Sequence, residues 1–330
     1  MIESVKYFKA LSDETRLRLL NLLIHFELNV NEITEAMSMG QSRISRHLKI
    51  LTDSGLLDWR RDGLWVFYRS AREGNGREFI NSISATFKND YDLKIDLSRL
   101  LWIIEEKSRA KTEFFDSIAP DWDNIKKDIT GSLDITGQVL DRIRSADTAA
   151  DLGCGTGELL LALSKKARRV IGVDKSPKML AQLKSRFDDK NGRIDLRIGA
   201  IEHLPMKDGE ADTAVINMVL HHLPSPFNGI AEANRILKTG GHLYIIDLDK
   251  HGSEKMRERY GHRWLGFSRD DMENWLESAG FMINERAGFK GAGGMRIILT
   301  HGIKEKNISN LNQINIKEIY NEHEDYKRSI

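Results

Sequence analysis

Residues 151–160 read DLGCGTGELL: an acid, glycines at 153, 155 and 157, then an apolar run. In the longer stretch TAADLGCGTGELLLAL this is strand, loop and helix, and the glycines let a backbone come close to a ligand. A dinucleotide fingerprint would need glycine at 158, where Glu158 stands. Its carboxylate at a helix N-terminus would repel the pyrophosphate that such a terminus otherwise attracts, so a dinucleotide is disfavoured. A second acid, Asp174, closes the next strand candidate in VIGVDKSPKML. Further on, NMVLHHL brings His221 and His222 together, and DLDKHGSEKMRERYGHRWLGF adds His251, Tyr260 and His262. His222, His251, Tyr260 and His262 are the candidates for a general base. For the pair at 221 and 222, a functional imidazole and a buried structural one remain equal alternatives.

A different chemistry occupies the other end of the chain. Across residues 41–51, Arg43, Arg46 and Lys49 occur with no acid, and His47 can add charge. The stretch that follows contributes Arg60, Arg61 and Arg69 against Asp62. Basic side chains on a second helix and a wing are what phosphate contact and major-groove reading require. Gln41, Ser42, Arg43, Ser45 and Arg46 fall in the first turns of that helix and are the best candidates for base or phosphate contact, joined by Lys49, Arg60 and Arg61.

The elements that must position these residues follow from periodicity. In LSDETRLRLLNLLIHF, Ser12 is the expected N-cap, and Leu17, Leu20 and Ile24 recur at helical spacing. VNEITEAM is a short helix, SMGQ a turn with Gly40 at the bend, and QSRISRHLKILTDSGLL a helix closed by Gly55. Two β-prone runs then flank Asp62-Gly63, a two-residue hairpin signal. Helix, tight turn, helix and hairpin make a winged helix-turn-helix over residues 1–71. Residues 72–140 form a helical connector, its apolar stripe running from Leu97 through Ile104 and Phe115 to Ile118 before Pro120. That stripe packs either on its own chain or on a second copy.

From Thr148 the texture alternates strands and helices: TAADLGC, RRVIGVD, IDLRIGA, ADTAVINMV, GHLYIIDLD, FMINERAGF and MRIILTHGI. The pattern predicts a Rossmann-like doubly wound sheet over residues 141–302, with an antiparallel edge where the last two strands lack a helix between them. Residues 303–330 are a polar tail with a weak helical patch near 316–326. The fold class expected is thus multidomain α/β.

The totals bound the rest. The chain has 330 residues, 40% hydrophobic and 30% charged, with a net charge of +1. That size suits two domains and a connector, and the balance excludes a globally basic coat while allowing a local basic face. The single cysteine, Cys154, excludes an intrachain disulfide and a cysteine-based metal or arsenic site. Residues 1–110 hold only His25 and His47 as further soft ligands, so no metal site is expected. The opening MIESVKYFKA has no signal pattern and no run suffices to cross a membrane, which points to a cytoplasmic protein.

LSDETRLRLLNLL and QSRISRHLKILTDSGLL closely resemble the ArsR-type winged-helix repressors, a resemblance that implies a double-stranded DNA operator and a homodimer. The D-x-G-x-G-x-G loop resembles motif I of the class I S-adenosylmethionine-dependent methyltransferases across roughly 145–302. It implies S-adenosylmethionine or S-adenosylhomocysteine as ligand. Asp151, Gly153, Cys154, Gly155 and Gly157 would form the loop around it. Asp174 would take the ribose hydroxyls, with Lys175, Ser176 and Met179 near the adenine. Ala200, Ile201 and Glu202 match the next motif, although the acid or amide that commonly receives the adenine amino group is Ala200 here. Asn217, Met218 and His222 would lie at the methionine end. Adenine-N6 and cytosine-N4 DNA methylation need a Pro-Pro motif where this chain has Asn217-Met218-Val219-Leu220. Cytosine-C5 and arsenite methylation need cysteines it lacks. The layout resembles S-adenosylhomocysteine-responsive regulators of methionine-cycle genes. The alternative is an active methyltransferase for a small-molecule acceptor, whose catalytic residue the sequence leaves unknown, with an autoregulatory DNA-binding domain.

Overall fold

Capping chemistry sets the helix boundaries of the first seventy residues. In the computed structural model, which describes residues 3–87, 90–143, 145–186 and 192–305, the order is α1 (Glu3–Leu11), α2 (Glu14–His25), β1 (Leu28–Asn29), α3 (Val30–Met37), α4 (Gln41–Ser54), β2 (Leu57–Asp62), β3 (Trp65–Ser70) and α5 (Gly74–Ile83). Asp13, not Ser12, caps α2 and accepts from the Arg16 amide at 3.1 Å. The Ser12 hydroxyl instead donates to the Lys9 carbonyl and finishes α1. Asn29 and Glu32 form a reciprocal capping box on α3. The bend before α4 is made by Ser38, at φ 49°, whereas Gly40 has an ordinary φ of −66°. Gly55 does close α4 in the left-handed region, at φ 84°.

The hairpin register differs by one residue from the sequence expectation. Asp62 pairs with Trp65, so the connection is Gly63-Leu64, with Gly63 at φ 60°. β1, β3 and β2 then form a small antiparallel sheet. Leu19, Leu20, Leu22, Ile33, Ile44 and Leu48 are completely buried beneath it. Each contributes roughly 1.5–3 kcal/mol relative to exposure.

α6 (Tyr91–Ile118) runs 28 residues. The chain divides into two compact units, and the division falls inside this helix, after Ser108. In the first unit Leu100, Leu101 and Ile103 join the core just described, so this part of the stripe packs on its own chain. Arg18 of α2 grips Asp96 of α6 with two hydrogen bonds, Nε at 2.7 Å and Nη2 at 2.8 Å. The Asp96 side chain is 1% exposed.

The second unit adds α7 (Trp122–Thr130), α8 (Ile135–Leu140), β4 (Ala146–Leu152), α9 (Glu158–Leu163), β5 (Ala167–Asp174), α10 (Pro177–Ser185) and β6 (Ile194–Ile198). It continues with β7 (Ala211–Asn217), α11 (Pro226–Ile236), β8 (Leu237–Leu248), α12 (Lys255–Tyr260), α13 (Arg269–Ser278), β9 (Phe281–Lys290) and β10 (Arg296–Lys304). The sheet order is β6-β5-β4-β7-β8-β10-β9. The first five strands pair in parallel, and β10 runs antiparallel to both β8 and β9. The last two strands are therefore an antiparallel hairpin, but it is β9 that takes the edge, with β10 inserted beside β8. Burial agrees: β10 is mostly buried, whereas β9 alternates between exposed and half-buried positions, as a strand solvated on one face does. This is a Rossmann-like sheet with strand order reversing beside β4, where such folds bind ligands. Among the described residues no helix is long and apolar enough to cross a membrane. Of the polar tail expected over 303–330, Ile303 and Lys304 belong to β10 instead, and residues 306–330, where a helical patch was expected near 316–326, lie outside the described residues.

Replacing Arg18 with Gln removes the partner of a buried carboxylate. We expect a loss of about 2–3 kcal/mol, the upper part of the range for an unsatisfied buried group because Asp96 is charged. Urea unfolding followed by circular dichroism would show a lowered midpoint; an unchanged midpoint would remove this pair from the account of the first unit.

Candidate functional site

Asp174 stands at the carboxyl end of β5 and holds two loops at once. One carboxylate oxygen accepts from the Gly155 amide at 2.8 Å and the other from the Ser176 amide at 2.8 Å. An ionised carboxylate offers about four lone-pair sites, so with these amides bound it retains acceptor capacity for a further donor such as a hydroxyl. Burial raises the Asp174 pKa, and the amides of Ser176, Gly155 and Lys175 oppose that shift. Ser176 caps α10 through the Met179 amide at 3.1 Å and donates its hydroxyl to Asp116 of α6. Lys175 is exposed, while Met179 is 3% exposed and part of the packing under α10.

The three loop glycines all have positive φ, at 82°, 51° and 83° for Gly153, Gly155 and Gly157. Their requirements differ. A Cβ on Gly157 would lie 2.0 Å from Leu183 Cδ1, and one on Gly153 would lie 2.6 Å from Val219 Cγ2. Both positions are closed by the protein's own packing. Gly155 is the open one: a Cβ there would meet only Trp122, with Nε1 at 3.5 Å. Cys154 is buried, and burial pushes its thiol up, as do the carboxylates of Asp151 and Asp174. Glu158 points to Lys126 at 2.7 Å and Thr136 at 3.0 Å, so its charge is largely met.

Asp151 sits beneath the loop at 2% exposure, with Oδ2 making no hydrogen bond. Burial, reinforced by the charge of Asp174, pushes its pKa up to about 7. On the far side of the loop, Ala200 bridges to His203, Ile201 is buried, and Glu202 is raised by burial against the pull of Lys175 and Lys111.

The sequence reading missed what the segment before the sheet supplies. Trp122 faces Gly155, Phe115 meets the Trp122 ring edge-on at 5.5 Å, and His222 meets Phe115 at 4.9 Å. Thr156 donates to Asp123 at 2.8 Å. The aromatic residues in FFDSIAPDW were the available signal.

At the end of β7, Met218 adopts φ 58°, uncommon for a side chain of its size, and Asn217 Oδ1 is buried without a partner. The turn that follows brings His221 and His222 to His262, with ring centroids 4.1 Å from His221 to each and 5.0 Å between the other two. His221 Nδ1 lies 2.6 Å from Asp247 Oδ1, and both residues are buried. Burial, then the neighbouring His221, holds both His222 and His262 well below the usual imidazole range. Of the other base candidates, Tyr260 donates to Asp128 at 3.1 Å, and His251 accepts from the Ser253 amide at 3.2 Å. The His251 and Tyr260 side chains are thus engaged elsewhere, while His222 and His262 converge.

On α4, Gln41, Ser42, Arg43, Ser45, Arg46 and Lys49 are all exposed, and Ile44, Leu48 and Leu51 are buried on the opposite side. Among the described residues Arg43 and Arg46 make no ion pair, and Lys49 pairs only with Asp53, at 3.1 Å. Strand alternation separates the wing arginines: Arg61 is exposed, whereas Arg60 is half-buried and paired with Glu27. The wing also exposes Trp59 and Leu64, which the sequence reading did not single out.

Residues 13–58 match the family model for the bacterial regulatory protein, arsR family, and residues 150–245 match that for the methyltransferase domain. The chain therefore joins an ArsR-family helix-turn-helix to a domain of the methyltransferase family. An uncharacterized 37.1 kDa transposon protein of Streptomyces fradiae is 38% identical over 109 residues, which is 32% of this chain and 31% of that protein's length. A ubiquinone/menaquinone biosynthesis C-methyltransferase of a Geobacter species is 24% identical, over 58% of this chain and 88% of its own. Among solved structures, the Burkholderia thailandensis 1,6-didemethyltoxoflavin-N1-methyltransferase, with bound S-adenosylhomocysteine, aligns at TM-score 0.51 and 18% identity, covering 62% of this chain and 91% of that one. That likeness shows the class I methyltransferase fold.

Asp151 gives a pH-dependent expectation. Its folded pKa of about 7 exceeds the ordinary aspartate value of about 3.9, so the folded state holds the proton more tightly. Its contribution to stability is present in full below pH 4 and is lost as pH rises through 7, a change of a few kcal/mol by linkage. Asp151→Asn should flatten the decline between pH 4 and 7 and raise the urea midpoint at pH 8. Parallel pH profiles for the two proteins would refute the burial assignment.

Proposed function

We propose that the chain is a DNA-binding transcriptional regulator whose methyltransferase-type domain takes S-adenosylmethionine or S-adenosylhomocysteine as effector. The observation that carries this reading is the exposed face of α4, where Arg43 and Arg46 make no ion pair among the described residues, in the same chain as a glycine loop closed by Asp174. An enzyme has no use for the first feature, and a simple repressor has none for the second. In this reading the face of α4, with Arg61 on the wing, contacts phosphates and base edges of a double-stranded operator. Arg60, already paired with Glu27, contributes less. The remaining acceptor capacity of Asp174 receives the ribose hydroxyls, Gly155 and Trp122 line the approach, and Met218 and His222 mark the methionine end. The protein acts in the cytoplasm as a homodimer, as ArsR-type regulators commonly do.

For the ligand to act, it must bind the DNA-competent and incompetent states unequally. A coupling of about 1–3 kcal/mol gives roughly 5–150-fold in affinity. α6 is the covalent route: Leu100 and Leu101 belong to the first unit's core, and Asp116 reaches Ser176 beside Asp174.

A second reading has its own observation. Asp247 behind His221 is an oriented imidazole of the kind used as a general base. It favours methyl transfer to a small molecule, where in-line positioning supplies most of the effect.

Fluorescence anisotropy on DNA from the gene's own promoter, at fixed salt, separates the two. Arg43→Ala with Arg46→Ala should weaken DNA binding at least tenfold. S-adenosylmethionine or S-adenosylhomocysteine should shift DNA affinity several-fold, and Asp174→Ala should abolish that shift while leaving DNA binding in the absence of ligand intact. Tight DNA binding unmoved by either compound would put the transfer reading first.

A further inference from the structure

We propose that His221, His222 and His262 form a binding site for a divalent metal ion of the zinc class, with a fourth coordination position left open. Each histidine offers a ring nitrogen, and the three lie within 4.8 Å of one another. Zinc–nitrogen bonds of about 2.1 Å place tetrahedral ligand atoms roughly 3.4 Å apart. The present spacing must contract by about an ångström to reach that value. Three imidazoles and no thiolate suit zinc and its neighbours in the first transition row rather than calcium or magnesium.

Three features of the cluster fit a metal site. The first is the pairing of His221 Nδ1 with Asp247 Oδ1 at 2.6 Å. It commits one nitrogen to the carboxylate, leaves Nε2 as the donor, and reproduces the carboxylate–histidine support common behind metal ligands. The second is that Nδ1 of His222 and Nδ1 of His262 are both buried with no hydrogen-bond partner. Leaving buried polar atoms unmatched is costly, and a metal would satisfy both at once. The third is rigidity. The Arg263 and Trp264 amides both donate to the His221 carbonyl at 3.0 Å, and Trp264 Nε1 donates to the Leu223 carbonyl at 2.8 Å. The two segments that carry the three rings are therefore pinned to each other before any ligand arrives.

A general base alone explains less. Asp247 and His221 would suffice for it, and the convergence of two further rings would be left without a role. The nearby cations do not close the site to a metal. Lys111 is directed to the His222 carbonyl at 2.8 Å, and Arg257 pairs with Glu254 at 3.1 Å. Phe115 packs edge-on against His222 at 4.9 Å and occupies that side of the cluster. A ligand in the open position would be water or an oxygen or sulfur atom of a small molecule.

The proposal stands apart from the effector reading. S-adenosylhomocysteine binding to the same protein, measured alongside, reports on that reading alone. The test uses the full chain freed of metal with a chelator and titrated with Zn2+ against a chromogenic competitor, and separately with Co2+. We expect one equivalent of Zn2+ per chain and visible Co2+ absorption of a low-coordinate nitrogen site. His222→Gln and His262→Gln should each weaken Zn2+ binding at least 100-fold, Asp247→Asn by roughly 10–100-fold, and His242→Gln not at all. Equal Zn2+ affinity in wild type and His262→Gln would overturn the assignment. Should those variants fail to fold, X-ray absorption on Zn2+-loaded wild type still decides: imidazole scattering from three histidines supports the site, and its absence refutes it.

Discussion

One carboxylate determines the shape of the second unit's working end. Asp174 receives the Gly155 amide from the loop after β4 and the Ser176 amide from the loop after β5. Ser176 passes the constraint on to α10 through the Met179 amide and to α6 through Asp116. A residue at the end of one strand thus ties together two loops and two helices, one of them contacted sixty residues upstream. Removing its charge would leave both amides without their carboxylate acceptor. Asp151 lies beneath the same loop and suffers for it: two acids in one dry region cannot both ionise freely.

Much of this was legible in the sequence, for a definite reason. The central strands β4, β5, β7 and β8 were readable because the parallel sheet is buried on both faces there and they are largely continuous apolar runs between helices, while β9 was readable from its alternation. What failed were choices between chemically similar neighbours. Ser12 and Asp13 are both good caps, and the decision went to the residue whose carboxylate could reach the Arg16 amide. Gly40 looked like the bend, but Ser38 took the left-handed conformation. The hairpin slipped by one residue because Asp62, fully buried, belongs to the strand.

Contacts across long sequence separations were not legible at all. The aromatic series from Trp122 through Phe115 to His222 joins residues about a hundred positions apart. Neither periodicity nor spacing records such a contact. His222 and His262 were each visible as chemistry-bearing residues, but their convergence on His221 depends on a loop pinned by backbone amides that no side-chain pattern announces. On α4 the reverse held. Solvent exposure there follows from helical periodicity alone, so the basic face could be drawn from the sequence, whereas the pairing of Arg60 with Glu27 could not.

A dinucleotide at the glycine loop would meet more than the charge of Glu158. Glu158 at the start of α9 is paired with Lys126, so its charge alone is a weak repellent. The repulsion is collective. Asp123, Asp151, Glu158 and Asp174 all lie around one short loop, and their cationic partners, Lys126 and Arg186, are already engaged with two of them. A pyrophosphate would add negative charge to that group, while a nucleoside adds none.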